Sequence, residues 1–120
     1  MRVDNYAYTG FFAPVSNPPA LNGVEASQTV PIKFSLQGNQ GLAVIATGYP
    51  KSQLIACTAG VPLNRIPETA TATANILTYN AVTDLYRYGW PTQKSWKNTC
   101  REFQLRLNDG ILHKANFRFR

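Results

Sequence analysis

Side chains that carry out catalysis are scarce in this sequence. Histidine occurs once, at position 113, and only six residues are acidic. The acidic residues are dispersed along the chain, and GxSxG, HExxH and P-loop patterns are all absent. His113 is expected near the end of a hairpin, where a packing role is more common than a catalytic one. We therefore expect no enzyme activity.

Cysteine is also scarce, with only two copies, Cys57 and Cys100. Together with one histidine they cannot assemble a zinc tetrad, and no Asp-rich loop could supply the roughly six oxygen ligands that calcium prefers. The expectation is therefore no metal and no cofactor. A disulfide between the two cysteines is the first interpretation, and two buried free thiols are the alternative. A disulfide would indicate an oxidising compartment.

Long hydrophobic runs are missing as well. No run approaches the roughly 18 residues that a membrane span needs, so no membrane insertion is expected. The opening "MRVDNYAYTG" contains no apolar signal region, and any export signal is expected outside this segment. The chain has 120 residues, of which 44% are hydrophobic and 15% charged, a composition typical of extracellular β-sheet modules. We predict a single domain over residues 1–120.

Turn sequences are frequent, and the runs between them alternate with a period of two. In "TVPIKFSL" every second residue from Val30 to Leu36 shares one face, and Pro31 indicates an edge strand or a strand that begins at the proline. "TATATANILTY" (69–79) reads as a further strand. "LYRYGW" places Tyr86, Tyr88 and Trp90 on one face, which we expect to line the core. Together these patterns predict an all-β sandwich.

The last segment, "REFQLRLNDGILHKANFRFR", predicts a hairpin whose register can be tested against its hydrophobic pattern. A two-residue turn at Asp109-Gly110 would place apolar residues opposite polar ones. A three-residue loop, Asn108-Asp109-Gly110, instead pairs Leu107 with Ile111 and Phe103 with Ala115, with Gly110 in the left-handed conformation. Odd positions then face the core and even positions face outward.

Four stretches together resemble one known family. They are "GFFAPVSNPPALNGVEA", "VPIKFSLQGNQGL", "GYPKSQ" before a cysteine, and "SWKNTCREFQLRLNDGILHKANFRF". In this order they are similar to the PxKF-type module of bacterial secreted and cell-surface proteins, named for the pattern from Pro31 to Phe34. The resemblance implies an immunoglobulin-like antiparallel β-sandwich, one module among several in an exported chain, with no catalytic activity. The chain departs from the pattern at Asn98 and at Ala26-Ser27, which are expected in loops.

The net charge of +6 is unevenly distributed. Residues 1–86 are balanced, and the excess lies in residues 87–120, which contain eight basic and two acidic residues. Such an asymmetry indicates an anionic partner, although solubility alone is a sufficient explanation for a basic surface. The candidate anion-binding residues are the outward cations of the hairpin and two lysines in the loop before it, namely Lys94, Lys97, Arg106, Lys114, Arg118 and Arg120.

Trp96 is the candidate for an aromatic contact. It lies in the polar loop "PTQKSWKNT" between two lysines, where an exposed indole is expected to bind a partner such as a sugar.

The function that we expect from the sequence is a non-catalytic adhesion or spacer module of a secreted or cell-surface protein. Its partners would be neighbouring domains or other surface proteins, and self-assembly through sheet edges is a further expectation. The alternatives are a carbohydrate-binding module or a weak polyanion-binding module. Sequence-specific nucleic-acid binding is not expected, because no recognition helix is predicted and the basic residues are not visibly interleaved with exposed aromatics.

Overall fold

The alternating apolar and polar residues of this chain form β-strands, and turns separate these strands. The computed structural model describes residues 6–17, 20–58, 63, 68–69 and 77–120. Its strands are β1 (Thr9–Phe12), β2 (Leu21–Val24), β3 (Thr29–Ser35), β4 (Lys51–Ile55), β5 (Glu68–Thr69), β6 (Leu77–Asn80), β7 (Leu85–Pro91), β8 (Cys100–Arg106) and β9 (Leu112–Phe119). A short 3-10 helix spans Lys94–Trp96. Most of the strand predicted over 69–79 lies outside the described residues.

The strands form two packed sheets, so the predicted all-β sandwich is confirmed. One sheet has four strands in the order β1-β3-β7-β6, and the other has five in the order β2-β9-β8-β4-β5. The described pairs are antiparallel except β2, which runs parallel to β9. The antiparallel arrangement expected for the whole sandwich therefore has one exception, at the end of the five-stranded sheet.

Pro31 lies inside the four-stranded sheet, because β3 has β1 on one side and β7 on the other. Both predicted alternatives are therefore wrong, because β3 is not an edge strand and it begins at Thr29, two residues before the proline. The last pairing with β1 joins Phe12 to Lys33, however, so β1 has ended before it reaches the proline. The missing N–H of Pro31 consequently costs the sheet no hydrogen bond to β1.

Trp90 occupies the centre of the core between the sheets. It belongs to β7 of the four-stranded sheet and is fully buried. Its ring centroid lies 4.8 Å from that of Phe103 and 5.0 Å from that of Phe117, both on the five-stranded sheet. The predicted inward faces of β3 and β7 are confirmed, since Val30, Ile32, Phe34, Tyr86 and Tyr88 are all buried.

The closing hairpin has the predicted register. Phe103 pairs with Ala115 and Leu105 with His113 across β8 and β9. The Leu107 N–H donates to the Ile111 carbonyl at 3.2 Å, which closes a three-residue loop, and Gly110 has a φ of +84°. Ile111 departs from the pattern, since it is exposed although its position is odd.

Replacing Gly110 by Ala should lower the free energy of unfolding by about 1 kcal/mol, because a Cβ disfavours the left-handed conformation. No other atom lies within 4 Å of the added Cβ, so the loss comes from the backbone alone. Gly110→Asn is the control, because Asn tolerates this conformation better. Chemical denaturation measures both variants. An unchanged denaturation midpoint in the Ala variant would contradict the loop conformation.

The predicted disulfide is present and joins Cys57 to Cys100. Cys100 begins β8 and is fully buried, whereas Cys57 follows β4 and is exposed. Since β4 and β8 are neighbours, the bond ties two strand ends within the five-stranded sheet rather than linking one sheet to the other. It therefore holds the end of the pair in which Ile55 opposes Cys100.

Changing both cysteines to Ser should lower the free energy of unfolding by about 4 kcal/mol, because the bond closes a loop with a sequence separation of 43. Denaturation of the variant, compared with wild type in the absence and presence of reductant, measures the loss. Reductant should change the wild type only. Equal midpoints for wild type and variant without reductant would contradict a stabilising disulfide.

Candidate anion-binding face

The outward side chains of the five-stranded sheet form a surface rich in cations. On β8 and β9 the even-numbered residues point away from the core, because the odd-numbered residues Phe103, Leu105, Ala115 and Phe117 are buried. We call this surface the basic face and define it by Lys51, Arg106, Lys114, Arg118 and Arg120. The hairpin cations predicted from the sequence therefore do share one side of the protein.

The ring of Tyr49 makes cation–π contacts with two residues of the basic face. The Lys51 Nζ lies 4.8 Å from the ring centroid, and the Arg106 Cζ lies 5.3 Å from it. Arg106 also donates a hydrogen bond from Nη1 to the Gly110 carbonyl at 2.8 Å. Contacts of this kind hold the guanidinium group close to the sheet surface.

Lys114 lies near the middle of the basic face beside its closest acidic residue. Its Nζ is 3.7 Å from Glu102 Oε1, and that oxygen also accepts a hydrogen bond from Gln104 at 2.9 Å. The Lys114 side chain is about half exposed. An exposed ion pair of this geometry contributes little to stability, so Lys114 can turn toward an external anion at small cost.

Arg118 and Arg120 stand at the far end of β9. Arg118 is exposed, and among the described residues no acidic side chain pairs with it. The Arg120 Nε lies 3.4 Å from Glu25 Oε1, and both of these side chains are largely exposed. Arg118 lies four positions after Lys114, which corresponds to about 13 Å along a strand. A ligand would have to be extended to meet both cations.

The two predicted loop lysines, Lys94 and Lys97, are exposed beside the end of the same strand. The neighbouring Asn98 N–H donates to the Phe119 carbonyl at 2.9 Å, which fixes the loop against β9. The loop therefore lies beside the end of β9 and away from the middle of the basic face.

Sequence reasoning missed Tyr49 and Lys51 as members of this surface. Lys51 opposes Gln104, which in turn opposes Lys114, so the two lysines flank one residue across three strands. The only local signal was an aromatic residue two positions from a lysine in "GYPKS". Tyr49 is half-buried, and its ring contacts both Lys51 and Arg106.

The expectation that Trp96 is exposed is wrong. Only 7% of it is accessible, and it packs with its ring centroid 5.3 Å from Phe119 and 5.8 Å from Trp90. The 3-10 helix turns the indole inward, so that a polar segment contributes one apolar side chain to the end of the core. Trp96 is therefore a core residue and offers no free face to a sugar.

Arg101 covers Trp96 and removes one cation from the surface. Its Cζ lies 4.0 Å from the indole, it is buried, and its Nη1 lies 3.4 Å from Ser52 Oγ. A guanidinium group combines well with an indole because its flat face stacks on the ring. The basic excess of residues 87–120 is thus not entirely available to a partner.

His113 packs in the hairpin. Its ring stacks on Tyr8 with 3.5 Å between centroids and an interplanar angle of 17°. Burial lowers the pKa of His113, although Asp109 acts in the opposite direction. Burial therefore favours the neutral ring, which suits the packing role predicted for it.

Within the described ranges, no group of three or more His, Cys, Asp or Glu residues could hold a metal ion. None of the helices in the described part of the chain is long and apolar enough to cross a membrane. Comparison of the chain with protein-family models, curated proteins and solved structures finds no match in any of the three.

Changing Trp96 to Ala should lower the free energy of unfolding by about 3 kcal/mol, because it leaves a cavity beside Trp90 and uncovers Arg101. Trp96→Phe is the control and should lose less, since it keeps an aromatic ring in the core. Thermal and chemical denaturation measure the two losses. An Ala variant as stable as wild type would contradict the buried position of the indole.

Proposed function

We propose that this chain is a non-catalytic interaction module of a secreted or cell-surface protein, and that it binds anionic polymers or acidic neighbouring domains through the basic face. The observation that carries the proposal is the arrangement of Arg106, Lys114 and Arg118 on one outward surface of a sheet. The PxKF-type resemblance, with the immunoglobulin-like sandwich that it implies, supports the same kind of role. The disulfide fits an extracellular location.

Binding through the basic face is expected to be weak and indifferent to the order of groups in the polymer. The cations are spread along neighbouring strands, and two of them already face an acidic side chain, Lys114 near Glu102 and Arg120 near Glu25. Contacts of this kind take their affinity mainly from the release of counterions. Specific reading of a base sequence would require a helix or ribbon that fits a groove, and a broad sheet surface does not supply one.

The basic face supports contacts through charge better than sugar stacking. Trp96 is buried, and the ring of Tyr49 is occupied by Lys51 and Arg106. Carbohydrate-binding sheets need an aromatic side chain with a free face. These two rings are therefore poor stacking surfaces for a neutral glycan.

The edges of the described sheets support an interaction through side chains rather than through strand addition. The outermost strands β1, β2 and β6 have four residues each, and β5 has two. Of the interior strands, β4 has five residues, and β3, β7, β8 and β9 have seven or eight. Short edge strands are one way in which natural sheets limit pairing between molecules, so self-assembly through the edges formed by β1 and β2 is disfavoured.

Changing Arg106, Lys114 and Arg118 together to Gln should abolish retention on heparin and on DNA at low salt, because it removes three counterion-releasing contacts. For DNA, the slope of log affinity against log salt concentration should fall in magnitude by about 3. Retention at several salt concentrations measures both effects.

The matched control keeps the charge and changes the side chains, with Arg106→Lys, Lys114→Arg and Arg118→Lys combined. It should be retained nearly as well as wild type. No retention of wild type at low salt would contradict the proposal. Tight retention that persists at high salt would contradict binding by charge alone.

A further inference from the structure

A second group of cations lies on the opposite side of the protein, on the outer surface of the four-stranded sheet. Lys33 of β3 pairs directly with Arg87 of β7, and Arg87 pairs with Thr78 of β6. These residues point outward, because their neighbours Ile32, Phe34, Tyr86 and Tyr88 are buried in the core. Two positive side chains therefore stand side by side on adjacent strands.

This pairing is unfavourable unless something compensates it. Like charges directly opposite each other in a sheet repel and lower stability. Across the described residues, no acidic group lies within ion-pair distance of Lys33 or Arg87. The nearby Asp84 is used elsewhere, since its carboxylate accepts from Gly38 N–H at 2.9 Å and from Tyr79 OH at 2.6 Å.

The two cations border a surface cavity that contains further hydrogen-bond donors. The cavity has a volume of about 210 Å³ and is lined by Lys33, Thr78, Asn80, Thr83, Leu85 and Arg87. Asn80 accepts the N–H groups of Val82 at 2.9 Å and Thr83 at 3.2 Å through Oδ1, which leaves its Nδ2 as a donor. Ammonium, guanidinium, hydroxyl and amide groups thus surround one space, and none of its lining residues is acidic.

We propose that this cavity binds a tetrahedral oxyanion, phosphate or sulfate, either free or as a group on a larger molecule. The Arg87 guanidinium can donate two parallel hydrogen bonds to such an anion, and Lys33 adds a compact charge beside it. Thr78, Thr83 and Asn80 donate to the remaining oxygens. A bound anion also removes the repulsion between Lys33 and Arg87, so binding and folding favour each other.

The oxyanion site is independent of the basic face. The two surfaces belong to different sheets, with the core between them. The oxyanion site is a compact cavity that fits one anionic group, whereas the basic face spreads its cations along a strand. An experiment can therefore contradict one of these two proposals and still support the other.

Titration of the folded protein with sodium sulfate and sodium phosphate, followed by two-dimensional 1H–15N NMR at ionic strength held constant with sodium chloride, tests the site. We expect saturable shifts at the backbone amides of Lys33, Thr78 and Arg87 and at Arg87 Nε. Lys33→Gln and Arg87→Gln should each weaken binding about tenfold, which is the effect of losing one charge-assisted hydrogen bond. Both variants should stay folded, because they act at outward positions and relieve a repulsion.

The control is Arg106→Gln with Lys114→Gln, which removes two charges from the basic face and should leave the affinity unchanged. The proposal is overturned if neither anion gives saturable shifts, if the Lys33 and Arg87 variants bind as tightly as wild type, or if the control weakens binding equally. A parallel titration with a sulfated monosaccharide and a phosphoserine peptide distinguishes the sources. Tighter binding of one of them identifies a group on a larger molecule, and equal binding of all four identifies the free anion.

Discussion

The packing of Trp90 against the aromatic side chains of the opposite sheet is the contact on which the rest of this structure depends. It brings β7 of one sheet onto β8 and β9 of the other through Phe103 and Phe117. Removal of a large buried aromatic typically costs about 3–5 kcal/mol, a large fraction of the stability of a small domain. Trp96 packs on Trp90, and the Arg101 guanidinium group stacks on Trp96, so the same packing continues to the end of the core. This packing determines which side chains of β7, β8 and β9 point into the core and which point outward.

The two charged surfaces follow from that division. A strand that buries one face must place its charged residues on the other. The cations of β4, β8 and β9 therefore gather on the basic face, and those of β3 and β7 meet at the cavity for which we propose an oxyanion. The surfaces differ in geometry. On the basic face the charges are spaced along the strands and partly balanced by acidic residues, whereas Lys33 and Arg87 oppose each other directly beside uncharged donors. The spaced charges of the basic face suit an extended polymer. The adjacent charges of Lys33 and Arg87 suit a single anionic group.

Sequence alone accounted for much of the fold and for part of the candidate site. The inward positions of β3 and β7, the three-residue loop and the outward placement of Arg106, Lys114 and Arg118 all follow from a period of two, which is a local property. Trp96 shows the limit of that reasoning. A polar, lysine-flanked segment indicates exposure, yet one turn of 3-10 helix is enough to point a single indole into the core.

What the sequence determined by itself was which side of each strand is apolar, where the chain turns, and that no catalytic constellation could be recognised. What only the tertiary structure decided was which strands are neighbours. Tyr49 meets Arg106, and Lys33 meets Arg87, across sequence separations that no local pattern spans. The partner of a strand is chosen by the packing of whole faces and by the geometry of sheets, so contacts between strands are settled only when the core forms. The position of the disulfide within one sheet was decided in the same way. Two cysteines in a sequence indicate a bond, but they do not indicate which strands the bond joins.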